Sequence, residues 1–167
     1  MDQPTAPVAT NPLGRPLTIV FALPGKTFTN NFLLSWTMLF NYCLNNGINP
    51  LITNHYSNNI YYVRNMCLGG NNLLGKEQVP FKGQVDYDFI MWIDSDQVFT
   101  VENFVALLKH DTNVVSGLYL MENGKEFATV EDMNNDYFVK KGHYEFLTPE
   151  EILLRRKKEK PSVMEVD

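Results

Sequence analysis

Apolar positions along this chain follow two alternating rhythms: short unbroken runs, and longer stretches in which they return every three or four residues. The first suits strands buried on both faces and the second amphipathic helices. Leu17 to Leu23 is the first run, ended by Pro24-Gly25. A helix follows, with Thr29 as N-cap, Phe32, Trp36, Leu39, Phe40 and Cys43 at helical spacing, and Gly47 as its stop. The methionine and aromatic residues of that helix are expected in the core. Asn49 to Thr53 makes a second short strand. His55-Tyr56-Ser57 forms the next turn, with Ser57 as cap and Ile60, Val63 and Cys67 on one face of a helix closed by Gly69-Gly70. Leu68 to Gln84 is a long polar loop rich in Gly and Asn, and loops of that length inside a domain are usually functional or mobile.

The run Phe89 to Ile93 fits a strand in the middle of a parallel sheet, and it ends abruptly in Asp94-Ser95-Asp96. Thr100 then caps a helix with Glu102 in its first turn and Val101, Phe104, Leu107 and Leu108 on its buried face. Asn113 to Met121 reads as a further strand interrupted by Gly117, and Tyr137 to Lys140 as a short one. Thr148-Pro149-Glu150-Glu151 joins a capping box to a proline at the first helical position. The run from Arg155 to Lys160 that closes this helix is either a solvated face complementing the dipole or a phosphate contact. Pro161 breaks the helix, and Ser162 to Asp167 begins an extended segment. Strands alternating with helices predict an α/β fold with a mostly parallel sheet wrapped by helices. Residues 1–16, with Pro4, Pro7, Pro12 and Pro16 among small polar residues, read as a disordered tail before a single domain at 17–167.

Composition narrows the function. The net charge of −5 argues against broad nucleic-acid binding, which needs a basic surface to displace counterions. No stretch is apolar for long enough to span a bilayer, and the N-terminus lacks the basic start and apolar core of a signal peptide. Cys43 and Cys67 both fall inside predicted helices, which points to buried free thiols, and no Asn-x-Ser/Thr sequon occurs. Together these predict a reducing, cytoplasmic setting. His55, His110 and His143 are too scattered for a zinc cluster.

Candidate chemistry centres on Asp94 and Asp96. The carboxyl edge of an open α/β sheet is where ligands bind, and a turn at Ser95 would let both carboxylates converge on one hard cation, Mg²⁺ or Mn²⁺. The plain alternative is a strand followed by an acidic turn. Pro24-Gly25-Lys26-Thr27 invites a P-loop reading, with Phe89 to Asp94 as the acidic strand of an NTPase. That motif requires glycine at position 20, where this chain has Val20 inside the strand, although Lys26 stays available as a phosphate contact. A second alternative makes Asp94 and Asp96 the nucleophile and acid of a haloacid-dehalogenase-type phosphatase. In those enzymes the acidic strand usually comes first, and a lysine and further acids lie well downstream.

The ordered set Ile19-Val20-Phe21-Ala22-Leu23-Pro24, Asn54-His55-Tyr56-Ser57, Arg64-Asn65 and Trp92-Ile93-Asp94-Ser95-Asp96 resembles the GT-A glycosyltransferases of the Asp-x-Asp type. Val114 to Tyr119 is similar to the strand that follows the metal motif in many members, and Met164-Glu165-Val166-Asp167 is a fainter echo. Within the family the chain is similar to transferases encoded by large DNA viruses of algae. The resemblance implies a GT-A, Rossmann-like sheet with helices on both faces. It also implies transfer of a sugar from a nucleoside-diphosphate donor, UDP-linked by preference, to a glycan or glycoprotein acceptor. The base would lie near Ala22, Leu23 and Pro24 and near Tyr56, Ser57 and Asn58, and Arg64 would contact base or phosphate. Asp96 would ligate Mn²⁺ or Mg²⁺, Asp94 would hold the ribose or share the metal, and Ser95 would contact the nucleotide sugar. Each has a structural alternative: Tyr56 as a sheet-edge packing residue, Arg64 in a surface salt bridge, His55 as a turn residue. Inverting members carry a catalytic base beyond the strand that Val163 to Asp167 begins. The expectation is therefore a donor-binding part of a longer protein, in preference to a compact variant whose acceptor site comes from elsewhere, with Glu165 and Asp167 as weak candidates for base or metal ligand. A domain of that kind could also bind nucleotide sugar without transferring it.

Overall fold

The computed structural model describes residues 11–110 and 112–159. Three strands, β1 (Leu17–Ala22), β2 (Ile48–Thr53) and β3 (Phe89–Trp92), form one parallel sheet in the order β2-β1-β3. Between and after them run α1 (Asn30–Asn45), α2 (Ile60–Cys67) and α3 (Val101–Leu108). The expected α/β class is thus present as a small open sheet with helices.

The centre of the sheet is β1, because it alone has a neighbour on each side among the described residues. Leu17, Ile19, Phe21 and Leu23 pack with Phe32, Leu39 and Cys43 of α1, with Phe104 of α3 and with Ile93. Ala22, of the opposite parity, packs with Val63 and Cys67 of α2. Side chains alternate along a strand, so an unbroken apolar run is what a strand with a core cluster on each parity requires. Phe21 lies edge-on to Trp36 at 5.2 Å and tilted against Phe104 at 6.0 Å, tying both helices to the central strand. Fully burying side chains of this kind contributes about 1.5–3 kcal/mol each, which makes this cluster the main stabiliser of the sheet.

β3 corrects the expectation of a central strand. It pairs with β1 alone, and Phe89 and Trp92 are each 37% exposed, while Ile93 just beyond it is buried. An apolar run reports hydrophobicity, not the number of neighbouring strands. Half-covered aromatic rings satisfy an edge as well as a centre.

Local signals placed α1 well. The Thr29 hydroxyl accepts from the Phe32 N–H at 3.1 Å, and Gly47, at φ 69°, turns the chain out of the helix after Asn46. Its buried line is Phe32, Ser35, Leu39 and Cys43, with Trp36 and Phe40 half-buried. Met38, expected in the core, sits one residue off that line and is 66% exposed. The cap of α2 is Asn59 rather than Ser57. The Asn59 side-chain Oδ1 accepts from the N–H groups of Tyr61 and Tyr62, while the Ser57 hydroxyl accepts from the N–H of Asn59. Thr100 caps α3 in a capping box closed by Asn103.

Part of the expected N-terminal tail is structured. Asn11 is buried and donates its N–H to the Asn46 carbonyl at 3.1 Å, and its side chain bonds Arg15 and Leu13 in a tight turn leading into β1. Residues 1–10 lie outside the described residues. The long loop after α2 is also ordered. The Gln78 amide donates to the carbonyls of Asn71 and Gly75 and accepts from the N–H of Asn71, and a short 3-10 turn follows at Pro80–Gly83.

The chain divides between Asn113 and Val114 into two compact units. The second unit contains α4 (Asn135–Lys141) and α5 (Pro149–Glu159), two isolated antiparallel bridges, Leu120 to Phe127 and Val130 to Phe146, and the buried residues Val130, Leu147 and Ile152. Two expectations are corrected there. Asn113 to Met121 joins no strand ladder beyond the single bridge at Leu120, because β-branched residues supply propensity and not a neighbouring strand. Tyr137 to Lys140 is helical: Asn134 caps α4 by accepting from the Tyr137 N–H, and Gly142, at φ 78°, closes it. α5 begins as expected, with Thr148 and Glu151 bonding each other reciprocally. No helix among the described residues is long and apolar enough to cross a membrane.

Candidate functional site

Three loops meet at the carboxyl end of the sheet, and Gly25 is their junction. From β2 the Thr53 carbonyl accepts from the Leu23 N–H at 2.9 Å, and the His55 carbonyl accepts from the Gly25 N–H at 3.0 Å. The Asn54 amide donates to the carbonyls of both Leu23 (2.6 Å) and Gly25 (2.9 Å). From the β3 side, a Cβ added to Gly25 would lie 2.7 Å from Ser95 Cβ and 2.9 Å from its Oγ, so only glycine permits this approach. The Ser95 carbonyl accepts from the Thr29 N–H, which couples the acidic turn to the start of α1.

Two carboxylates flank that junction. Asp94 is half-buried and Asp96 exposed, in a turn closed by the Gln97 N–H donating to the Asp94 carbonyl at 3.1 Å. Neither carboxylate has a hydrogen-bond or ion-pair partner among the described residues. Two cations lie near the same end, each over an aromatic ring: Lys26 Nζ is 5.7 Å from the centroid of Tyr56, and the Arg64 guanidinium is 5.8 Å from that of Trp92.

The remaining expected residues divide by role. Ala22 and Leu23 belong to the two core clusters and support the loop from beneath, and Pro24 is buried. Tyr56 is 53% exposed, with its hydroxyl donating to Asn58 Oδ1 at 2.6 Å. Ser57 is turned inward to the Asn59 backbone. Glu165 and Asp167 lie outside the described residues. Of the basic run, Arg155 pairs with Glu131 in the second unit. Sequence reasoning missed Trp92 as the seat of Arg64 and Gly25 as the point of contact with Ser95. Both are long-range relations that no local spacing encodes.

Neither family models nor curated proteins nor solved structures match this chain. What the site can do therefore rests on its own geometry. Among the described residues no group of three or more His, Cys, Asp or Glu is placed to hold a metal by itself. Mg²⁺ and Mn²⁺ are, however, commonly held by one or two carboxylates together with substrate phosphates and water. The donor set Asp94 and Asp96 fits that shared mode and not a closed protein cage. The P-loop alternative finds no support in the backbone, since Val20 lies inside β1 where the phosphate cradle would have to begin.

Both cysteines are buried free thiols. Burial pushes the Cys43 thiol up to about 12 and raises that of Cys67, with the His55 backbone pulling the latter the other way. Thiols so shifted stay protonated and unreactive, which leaves them outside the chemistry.

A cavity of about 790 Å³ lies away from the acids, between the end of α2 and the Gln78-bonded loop, and is lined by Met66, Leu73, Leu74, Val79 and Lys82 among others. Its lining carries Lys82 but no acid, whereas the sheet edge gathers acids and cations without ion-pair partners among the described residues, so the edge is the better candidate for chemistry.

Proposed function

We propose that this chain is a metal-dependent GT-A glycosyltransferase, or the donor-binding portion of one, acting on a UDP-linked sugar with Mn²⁺ or Mg²⁺ and a glycan or glycoprotein acceptor. The observation that carries the reading is the convergence, on one end of a parallel sheet, of two carboxylates without partners among the described residues and two ring-seated cations. The finer fold assignment, helices on both faces of a Rossmann-like sheet, is supported by the opposite parity of the β1 residues that pack against α1 and against α2. The two buried free thiols favour a reducing, cytoplasmic setting.

In this reading Asp96 would hold the cation, and Asp94 would share it or hold the ribose. The metal supplies neutralisation of the charge that builds on the diphosphate as the sugar leaves. Tyr56, fixed by Asn58, offers an aromatic face to the base, and Arg64 and Lys26 face the phosphates. Asn54 and Gly25 act indirectly, by holding the first two loops in register.

Calorimetric titration with UDP, GDP and ATP, with and without Mn²⁺, tests this directly. Metal-dependent UDP binding supports it, while selective ATP or GTP binding that needs Lys26 would replace it with an NTPase. Sugar release to an acceptor separates a transferase from a module that only binds the donor.

A further inference from the structure

We infer that Lys26 is a specificity-determining residue: it caps the face of Tyr56 in the free protein and must leave it when a base stacks there. The site thereby favours a nucleoside diphosphate over the bare nucleoside. This rests on the nucleotide-sugar reading above.

Backbone hydrogen bonds bring the segments that carry Lys26 and Tyr56 side by side. The Gly25 N–H bonds the His55 carbonyl, and the Asn54 amide clamps the carbonyls of Leu23 and Gly25, so the residues following Gly25 and His55 are neighbours. Tyr56 cannot easily turn aside, because its hydroxyl is held by Asn58 Oδ1 at 2.6 Å. Tyr56 is nevertheless 53% exposed, with Lys26 Nζ 5.7 Å from its ring centroid. That ammonium has no carboxylate partner among the described residues. A lysine seated only on a π-face is held weakly and by its charge alone.

A base stacking on that face displaces the ammonium on its flexible four-carbon stem. Where the ammonium goes decides the selectivity. Lys26 directly follows Gly25, which abuts Ser95, the residue between the two acids. The stem therefore starts beside the turn at which a metal-bound diphosphate would sit. A nucleoside takes the ring and offers the lysine nothing in exchange. A nucleoside diphosphate takes the ring and returns an anion to it, a charge-assisted contact stronger than the one lost. Lys26 thus opposes one ligand and favours the other.

The test compares uridine with UDP, both in Mn²⁺, by calorimetric titration of the full chain and its Lys26→Ala, Lys26→Arg and Tyr56→Ala variants. Removing the cap in Lys26→Ala should tighten uridine about threefold. The same substitution should weaken UDP about tenfold through the lost phosphate contact. Lys26→Arg should restore UDP binding, and in a Tyr56→Ala background Lys26→Ala should no longer tighten uridine. Parallel weakening of both ligands, or no change in their affinity ratio while the wild type binds UDP, would overturn the role of Lys26 and leave the donor-site reading standing. A wild-type protein that binds neither ligand would overturn both.

Discussion

β3 has one aspartate at its amino end and two beyond its carboxyl end, and their surroundings are opposite. Asp88 is saturated: its Oδ2 accepts from the Thr18 N–H at 2.7 Å, its Oδ1 meets the Arg15 guanidinium at 2.7 Å, and its own N–H bonds the Thr18 carbonyl. The Thr18 N–H is the main reason its carboxyl is held below the ordinary range, burial works against it, and Arg15 adds to the lowering. Asp94 and Asp96 have no such partners among the described residues, and the cations near them rest on aromatic rings. One end of the sheet uses its carboxylate to fasten β3 to β1, and the other leaves its carboxylates free to meet something else. A carboxylate that already has its hydrogen bonds is structural; a pair exposed beside idle cations is equipped for a ligand.

If this contrast is right, substitutions at the two ends should separate binding from stability. The largest effect is expected for Asp96→Ala, which should weaken metal-dependent UDP binding about a hundredfold by titration with the unfolding midpoint nearly unchanged, in line with what losing a metal contact does. Gly25→Ala should disturb both properties, because its Cβ would press on Ser95 Cβ at 2.7 Å. Overpacking of this kind costs about 1–3 kcal/mol in urea unfolding, and UDP affinity should fall with it.

At the other end, Asp88→Asn should lower stability by about 1–2 kcal/mol, the usual effect of losing bonds to a charged group, with UDP affinity intact. Its pH dependence has a definite sign. The folded Asp88 carboxyl titrates below the ordinary 3.8, so its stabilisation is complete above that value and is lost as pH falls through the folded one. Urea unfolding followed into acid should therefore show a decline that is shallower in Asp88→Asn than in the wild type. The smallest effect is expected for Thr29→Ala, which removes the α1 cap at about 1 kcal/mol and should perturb the acidic turn only through the bond between the Thr29 N–H and the Ser95 carbonyl.

Much of the first unit was legible from local chemistry. Thr29, Gly47, Thr100 and the apolar run of β1 each state their role within a few residues, and the structure places β1, α1, β2 and α3 where those signals point. The misreadings share a cause. The edge position of β3, the missing ladder at Asn113 to Met121 and the exposure of Met38 depend on which neighbours are present, and four apolar residues look alike with one neighbour or two. Tyr137 to Lys140 is too short to display a period, and its true signals were the flanking Asn134 and Gly142. The candidate site was half legible: Asp94, Asp96, Tyr56 and Arg64 stand out by type and order. The seating of Lys26 on Tyr56 and of Arg64 on Trp92 joins residues about thirty apart in sequence, which only folding reveals.

The two ends of β1 are separated by about 17 Å at roughly 3.3 Å per residue, far enough for a paramagnetic ion to tell them apart. Adding Mn²⁺ with UDP to isotope-labelled protein and following amide line broadening by NMR is the most direct test. Broadening strongest at Ser95 and Gly25, weak at Thr18 and Asp88, and abolished by Asp96→Ala is the predicted result. Broadening centred on Asp88, or unchanged in Asp96→Ala, would contradict the assignment of the free carboxylates to a metal and diphosphate.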